Sequence, residues 1–496
     1  MPTPTEQPPQ RAAPGRLFAL CVFLLCLSVI GEQLTGLTSL RFSTAGLLLL
    51  FIVLGQGRVH LRERFLLTVA LGVALAAFLL PAGAGPGAGV ATRFDPAELV
   101  LGGLSRAGYL ASFMILLSLL QVGAGLSPSV LALGRYLTNQ PPGRRYIALH
   151  LGGHFFGVLL NFGAISLLAP MIQRGVRSQS ADDPALRAAY RERRQLSALA
   201  RGFSWFNIWA PTSIAQAVVL TTVVGSQALP IALAGGFVAF LLLWVGWGVD
   251  RQTGRQARAA LAQEGHAPPV LDAQAFPFDA LVRFLGVALA LVSGGLALAY
   301  GFSLPLVTAV MIMALPLTVG WIVLLYAARP GGMGQIAAKL KDLYLRSAPA
   351  GSPEAMTLAS AGFIGLVGAG LVDGGQLAQA VGLSQLPPTL IYIAVAGLLP
   401  LASCLGLPPM LMVTFLGSLL TGLDSLPLDP TLLGLAFLCG WSLNLTGSPF
   451  GATSLVLGRV TGVPGTTFAW RWNGIFTLFS FALVAAALLV FSQVWR

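Results

Sequence analysis

Long apolar runs, nearly free of charge and separated by short polar segments, dominate the chain. A helix needs about 20 mainly apolar residues to cross the hydrocarbon of a bilayer. Runs of that kind predict spans at 16–35, 39–56, 65–82, 98–122, 201–225, 229–249, 282–300, 303–327, 357–374, 430–457 and 472–494. Two further apolar regions, 146–172 and 387–422, depart from this template because Gly, Asn or Pro interrupts each near its middle. The arms left on either side are about 10–15 residues long, the length of segments that enter a membrane and return to the same face. The expected fold class is an all-α polytopic membrane protein with about 11 transmembrane helices plus two re-entrant hairpins.

Composition agrees with the pattern and removes alternatives. Of 496 residues, 56% are hydrophobic and only 9% are charged, against roughly 25% charged in soluble proteins. A soluble fold has too little charge here to cover its surface, and a disordered chain is excluded by the same count. The net charge of +12 is read as basic loops held on the cytoplasmic side; the expected partner is the lipid bilayer, not nucleic acid. Cys21, Cys26, Cys404 and Cys439 all lie in apolar stretches without CxxC spacing, which predicts buried thiols and neither a disulfide nor a metal site. The apolar run after Arg16 is followed by Gly31-Glu32-Gln33-Leu34 and not by a small-residue cleavage pattern, so the first span is expected to stay uncleaved.

Charge placement orients the chain. With the N-terminus in the cytoplasm and 146–172 returning to its own side, 25 of the 29 Lys and Arg residues fall on the cytoplasmic face, all but Arg41, Arg93, Arg106 and Arg496. A full crossing at 146–172 would instead separate the Arg-rich stretch 174–194 from Arg135–Arg145. The layout predicts a multi-pass protein of the bacterial cytoplasmic (inner) membrane. It also exposes a symmetry, because the hairpin 146–172 precedes the span 201–225 and the hairpin 387–422, opening from the opposite face, precedes the span 430–457. The expected units are a disordered cytoplasmic tail at 1–15, a first inverted repeat at 16–249, a cytoplasmic linker at 250–281 and a second inverted repeat at 282–496. Inverted-topology repeats with interrupted helices are the signature of secondary transporters.

The interruptions carry the candidate chemistry. At Leu160-Asn161-Phe162-Gly163 the first hairpin turns deep in the membrane, which frees amide and carbonyl groups that survive only where they line a polar cavity; Ser166 follows one turn later. In Asn207-Ile208-Trp209-Ala210-Pro211-Thr212-Ser213 and again in Asn444-Leu445-Thr446-Gly447-Ser448-Pro449, a proline breaks the helical ladder of a span. Each break predicts a half-helix whose free N–H groups favour an anion, with Ser448 as the expected N-cap of the second. Neutral oxygens of Asn444, Thr446, Ser448 and Thr453 suit a monovalent cation. The candidate substrate- or ion-binding set is Asn161, Ser166, Asn207, Thr212, Ser213, Asn444, Thr446, Ser448 and Thr453.

These motifs resemble the ion-transporter superfamily, the group of divalent-anion:sodium symporters, arsenite permeases, citrate carriers and sodium/proton antiporters. The resemblance covers most of the chain in layout and about 50 residues in motif, most closely 438–460. It implies inverted repeats that each hold a re-entrant hairpin and a broken helix, an elevator-like mechanism, and a homodimer. The tips depart from the Ser-Asn-Thr of the dicarboxylate symporters: the first keeps only Asn161, and the second reads Leu405-Gly406-Leu407-Pro408-Pro409.

Ionisable residues inside the spans are few. His150 and His154 stand at i, i+4 on one face of the first hairpin arm and are candidates for proton coupling, while Arg106 is a candidate either for an anion contact or for snorkelling. No Ser-His-Asp set, HExxH or paired carboxylates occur, so no enzyme activity, catalytic residue, metal or cofactor is expected, apart from Na⁺ or H⁺ as a coupling ion. The leading expectation is a secondary active transporter of a small anionic solute. The alternatives are a cation/proton antiporter of the same fold and a membrane-embedded enzyme or assembly factor of envelope biogenesis.

Overall fold

A computed structural model describes residues 15–79, 95–178, 185–263, 275–423 and 426–494. The expected tail and the middle of the expected linker lie outside the described residues. Helices build the chain. The first half runs α1 (Arg16–Thr35), α2 (Thr38–Gly55), α3 (Leu61–Leu79), α4 (Pro96–Gly125), α5 (Pro128–Thr138), α6 (Pro142–Leu160), α7 (Gly163–Ser178), α8 (Ala185–Phe206), α9 (Ile214–Thr222) and α10 (Ala228–Gln263). The second half runs α11 (Phe278–Phe302), α12 (Leu306–Tyr326), α13 (Gly332–Asp342), the one-turn α14 (Ala348–Ala350), α15 (Ser352–Gly370), α16 (Gly374–Ala380), α17 (Pro388–Cys404), α18 (Pro409–Thr421), α19 (Pro430–Gly447), α20 (Ala452–Thr461) and α21 (Gly474–Val494).

Among the described residues, seven helices are long and apolar enough to cross a membrane: α1, α2, α4, α10, α11, α12 and α21. An eighth expected span, 357–374, is the pair α15–α16, bent by 81° at the break before Gly374. The bend falls where Asp373 leaves helical geometry and its side chain accepts from the Gln376 N–H. The other three expected spans are α3, with Arg62, Glu63 and Arg64 in its opening turn, and the two broken helices, neither of which is one continuous helix. Both hairpins form: α6 and α7 meet at Asn161-Phe162, and α17 and α18 meet at Leu405–Pro408. The arms of the first are 19 and 16 residues, longer than expected, because α7 continues through Pro170 and ends at Ser178. Helix also replaces part of the expected linker, since α10 runs on to Gln263.

The order span, short helix, hairpin, broken helix, span occurs twice, as α4 to α10 and as α15 to α21. The packing follows that order. In each half the first hairpin arm lies along the first part of the broken helix, α6 on α8 and α17 on α19, and α4 and α15 pack together between the halves. The second arms cross over: α7 packs on α20, and α18 on α9. Small residues allow the close approach within each half. A Cβ on Gly202 of α8 would fall on the His150 carbonyl of α6, and one on Gly440 of α19 would lie 2.9 Å from the Ala396 carbonyl oxygen of α17.

Candidate functional site

The first broken helix stops at Phe206 and restarts at Ile214. Ser213 is the N-cap of α9; its hydroxyl oxygen accepts from the Ala215 N–H at 3.1 Å and its O–H donates to Asn207 Oδ1 at 2.7 Å. Asn207 Nδ2 donates in turn to the Ser204 carbonyl at 3.2 Å, and Gln216 Nε2 reaches back to the Ile208 carbonyl at 2.9 Å. This break therefore satisfies most of its own polar groups. The exceptions are the Thr212 hydroxyl and the Trp205 indole N–H, both buried and without a hydrogen-bond partner among the described residues.

The second break, between Gly447 and Ala452, is different. Gly451, not Ser448, is the N-cap of α20, and no side chain caps that helix. Ser448 stays extended (φ −104°, ψ 133°), and its hydroxyl accepts from the Phe450 N–H at 3.2 Å. Pro449 thus delays the restart, and the serine closes a short turn ahead of it. Ser454 donates to the Ser448 carbonyl at 2.7 Å. Thr446 donates weakly to the Leu443 carbonyl and accepts from Thr477 at 3.1 Å. Asn444 is fully buried, yet neither its Nδ2 nor its Oδ1 has a partner among the described residues; the hydroxyls of Thr453 and Ser442 are in the same condition. The second break therefore sets the Asn444 amide and the Thr453 and Ser442 hydroxyls, without protein partners among the described residues, beside an uncapped helix N-terminus.

The hairpin tips diverge in the same way. Asn161 turns the first tip with φ 47° and ψ −130°, a conformation uncommon for a non-glycine residue. It is buried, and its N–H donates to the Gly157 carbonyl at 2.8 Å. Phe162 beside it packs on Phe203 of α8, ring centroids 5.2 Å apart. The second tip uses Gly406 at φ 88° and presents Leu405, 85% exposed. Ser166 is exposed and donates to the Phe162 carbonyl; no hydrogen bond links it to another candidate.

The two histidines are built into the packing of α6 on α8. His154 Nδ1 lies 3.0 Å from the Gly202 carbonyl and its Nε2 accepts from the Trp209 indole at 2.7 Å, which fixes a neutral tautomer with the proton on Nδ1. Nδ1 of His150 is 3.1 Å from the Tyr146 hydroxyl. The spacing of the pair was legible in the sequence, but Trp209, Ser442 and Gln216 were not: each lies on an ordinary apolar turn and acquires its role only through the break. At the far ends of α7 and α20, Gln173, Arg177, Glu192, Thr461 and Trp472 line a cavity of about 340 Å³. Gln173 Nε2 ties the cavity together by donating to Glu192 Oε1 at 2.7 Å and to the Thr461 carbonyl at 3.0 Å.

The fold is similar to that of the YdaH transporter of Alcanivorax borkumensis, a protein of unusual topology, with a TM-score of 0.55 and 15% identity over 87% of this chain and 98% of that one. MtrF of Neisseria gonorrhoeae, from a class of antimetabolite efflux pumps, overlaps 86% of this chain and 92% of its own at 12% identity and a TM-score of 0.46. The sequence matches no protein-family model and no curated protein. At these identities the likeness is one of fold. The chain is a multi-pass membrane protein built like a solved transporter; neither of these two structures is described as a divalent-anion symporter, arsenite permease or citrate carrier.

Proposed function

We propose that the protein is a secondary active transporter that moves a small anionic solute across the inner membrane by alternating access. The observation that carries this reading is the second break: a fully buried Asn444 amide with no partner at either atom, next to Thr453 and the uncapped N-terminus of α20. Free N–H groups at a helix N-terminus favour negative charge, and neutral oxygens beside them suit a coupling Na⁺ or a protonated ligand. The transporter fold and the doubled order of hairpin and broken helix support the same reading. In it the halves run in opposite senses through the membrane, with the N-terminus in the cytoplasm and the 340 Å³ cavity at the cytoplasmic mouth of the route along α7 and α20.

Reconstituted protein tests this. A labelled solute identified in a screen of carboxylates, oxyanions and cations is expected to accumulate in proteoliposomes down an imposed ion gradient. Asn444→Ala is expected to lower uptake at least about tenfold, the loss of one hydrogen bond to a charged ligand. Wild-type uptake by Asn444→Ala or by Ser448→Ala would remove the site from this break. Proton movement driven by Na⁺ or K⁺ with no organic solute present would replace the reading with cation/proton antiport. The neutral His154 held between Gly202 and Trp209 speaks against that outcome, because a protonated ring could no longer accept from the indole.

A further inference from the structure

Arg106 lies in the first half of α4, about three turns from its start and inside the expected span 98–122. Its Nη2 donates to the hydroxyls of Thr221 (3.1 Å) and Thr222 in the last turn of α9. Its Nε is buried and has no hydrogen-bond partner among the described residues. Among the described residues no carboxylate stands within ion-pair distance of it; the nearest turns of α4 point Ser105 at Glu32 and Tyr109 at Thr308 instead. An ionised group taken out of water is costly unless it is paired, and the partners at hand compensate only part of this charge. Thr221 and Thr222 pass their own O–H bonds to the Ala217 and Val218 carbonyls, so the guanidinium is coupled to the negative end of α9. A helix terminus supplies about half an elementary charge, which leaves Arg106 short of neutralisation and with a donor to spare.

The position is also informative. α4 packs on α15, α12 and α2, whereas α9 is the restarted part of the first broken helix and packs on α18 and α19. Arg106 therefore links α4, which packs on the spans α2, α12 and α15, to the restarted half of the first broken helix. From it, α9 leads back to its own break over about 12 Å, at 1.5 Å per residue. A snorkelling arginine would reach for the membrane surface; this one is bonded inward to another helix.

We propose that Arg106 is an anion-recognition residue on the translocation route, taking the carboxylate or other oxyanion group of the solute through its free Nε and the remaining guanidinium edge. This rests on the transporter reading above. The planar fork matches an oxyanion through two parallel N–H bonds, a geometry that lysine cannot reproduce.

The test uses the purified full chain in detergent and follows thermal unfolding with sodium sulfate, inorganic phosphate or succinate against sodium chloride at equal ionic strength. A ligand that binds only the folded state raises the midpoint with its concentration. At least one of the three anions is expected to stabilise the wild type beyond chloride. Arg106→Gln is expected to lose that increment while remaining at least as stable as wild type without anion, and Arg106→Lys to weaken the apparent affinity at least about tenfold. General salt stabilisation acts on all three proteins alike and cancels in the comparison. The proposal is overturned if none of the anions shifts the wild type, if the variants respond as the wild type does, or if Arg106→Gln is less stable without anion and keeps the increment. Should Arg106→Gln fail to fold, the Lys variant decides, and an unchanged affinity overturns the proposal. A shift produced in nanodiscs by phosphatidylglycerol over phosphatidylcholine, and by none of the soluble anions, assigns the charge to a lipid phosphate and also overturns it. Anion binding at Arg106 without uptake in proteoliposomes would sink the transporter reading and leave the site; uptake unaffected by Arg106→Gln would do the reverse.

Discussion

The crossover of the second hairpin arms sorts the membrane interior into two unlike pairs. α7, which begins just after the Asn161 tip, packs on α20, which begins at the second break; α18, which leaves the Leu405–Pro408 tip, packs on α9, which begins at the first break. The first pair joins the polar, strained tip to the break with an unpartnered Asn444, an unpartnered Thr453 and no side-chain cap. The second joins the apolar tip to the break in which Ser213 caps its helix and bonds Asn207. Among the described residues, the Thr212 hydroxyl and the Trp205 indole remain without partners there. A duplicated architecture does not imply duplicated binding: one pair keeps its hydrogen-bonding capacity for something else, and the other spends it on holding itself together.

Exchanging the two asparagines challenges this contrast most directly. Asn444→Leu is expected to lower uptake at least about tenfold, as Asn444→Ala does, because either substitution removes the amide, with a melting temperature equal to or above wild type because an unsatisfied amide is removed. A melting temperature lowered by several degrees would show that Asn444 already has structural partners. Asn207→Leu is expected to behave oppositely: it leaves the Ser213 O–H donor and the Ser204 carbonyl without their bonds to Asn207, costs about 1–3 kcal/mol of stability and retains uptake in whatever fraction stays folded. Equal effects of the two substitutions on uptake would erase the contrast.

Smaller effects sharpen it. Asn161→Gly should relieve backbone strain worth about 1–3 kcal/mol and raise the unfolding midpoint, while uptake falls because the amide is gone; a lowered midpoint would mean that the turn is held by the side chain and not strained. At the other tip, Leu405→Ser is expected to change stability by less than about 0.5 kcal/mol, as for an exposed position outside special geometry, and to leave uptake within about twofold. A large loss of uptake there would show that the apolar tip meets the solute or a gating surface.

Much of this was legible in the sequence, for definite reasons. Pro211, Pro449 and the Asn161-Phe162-Gly163 turn announce themselves because backbone chemistry fixes where a helix must stop. Hairpin and broken helix could be placed from those signals and from the Arg distribution. The restart at Gly451 in place of Ser448 could not, because it depends on whether Ser448 Oγ finds the Phe450 N–H, a local competition that propensity does not decide. The short helices α5, α13 and α16 were missed because they are too short for a span and their connecting role has no period of its own. Least legible was the inequality of the two breaks. Both read as polar residues around a proline, and only the fold reveals that Asn207 bonds Ser213 while the Asn444 amide makes no hydrogen bond among the described residues.

At Gly153 and Gly202 the chains of α6 and α8 touch backbone to backbone, and Gly440 brings α19 almost as near to α17. Surfaces of that kind have no side-chain layer to act as a bearing, so neither first arm can slide past its partner without collision. On the alternating-access reading proposed above, each first arm and its half-helix move as one plate. A rigid cross-link between α6 and α8 is then expected to leave uptake unchanged, where one between α7 and α20 is expected to block it.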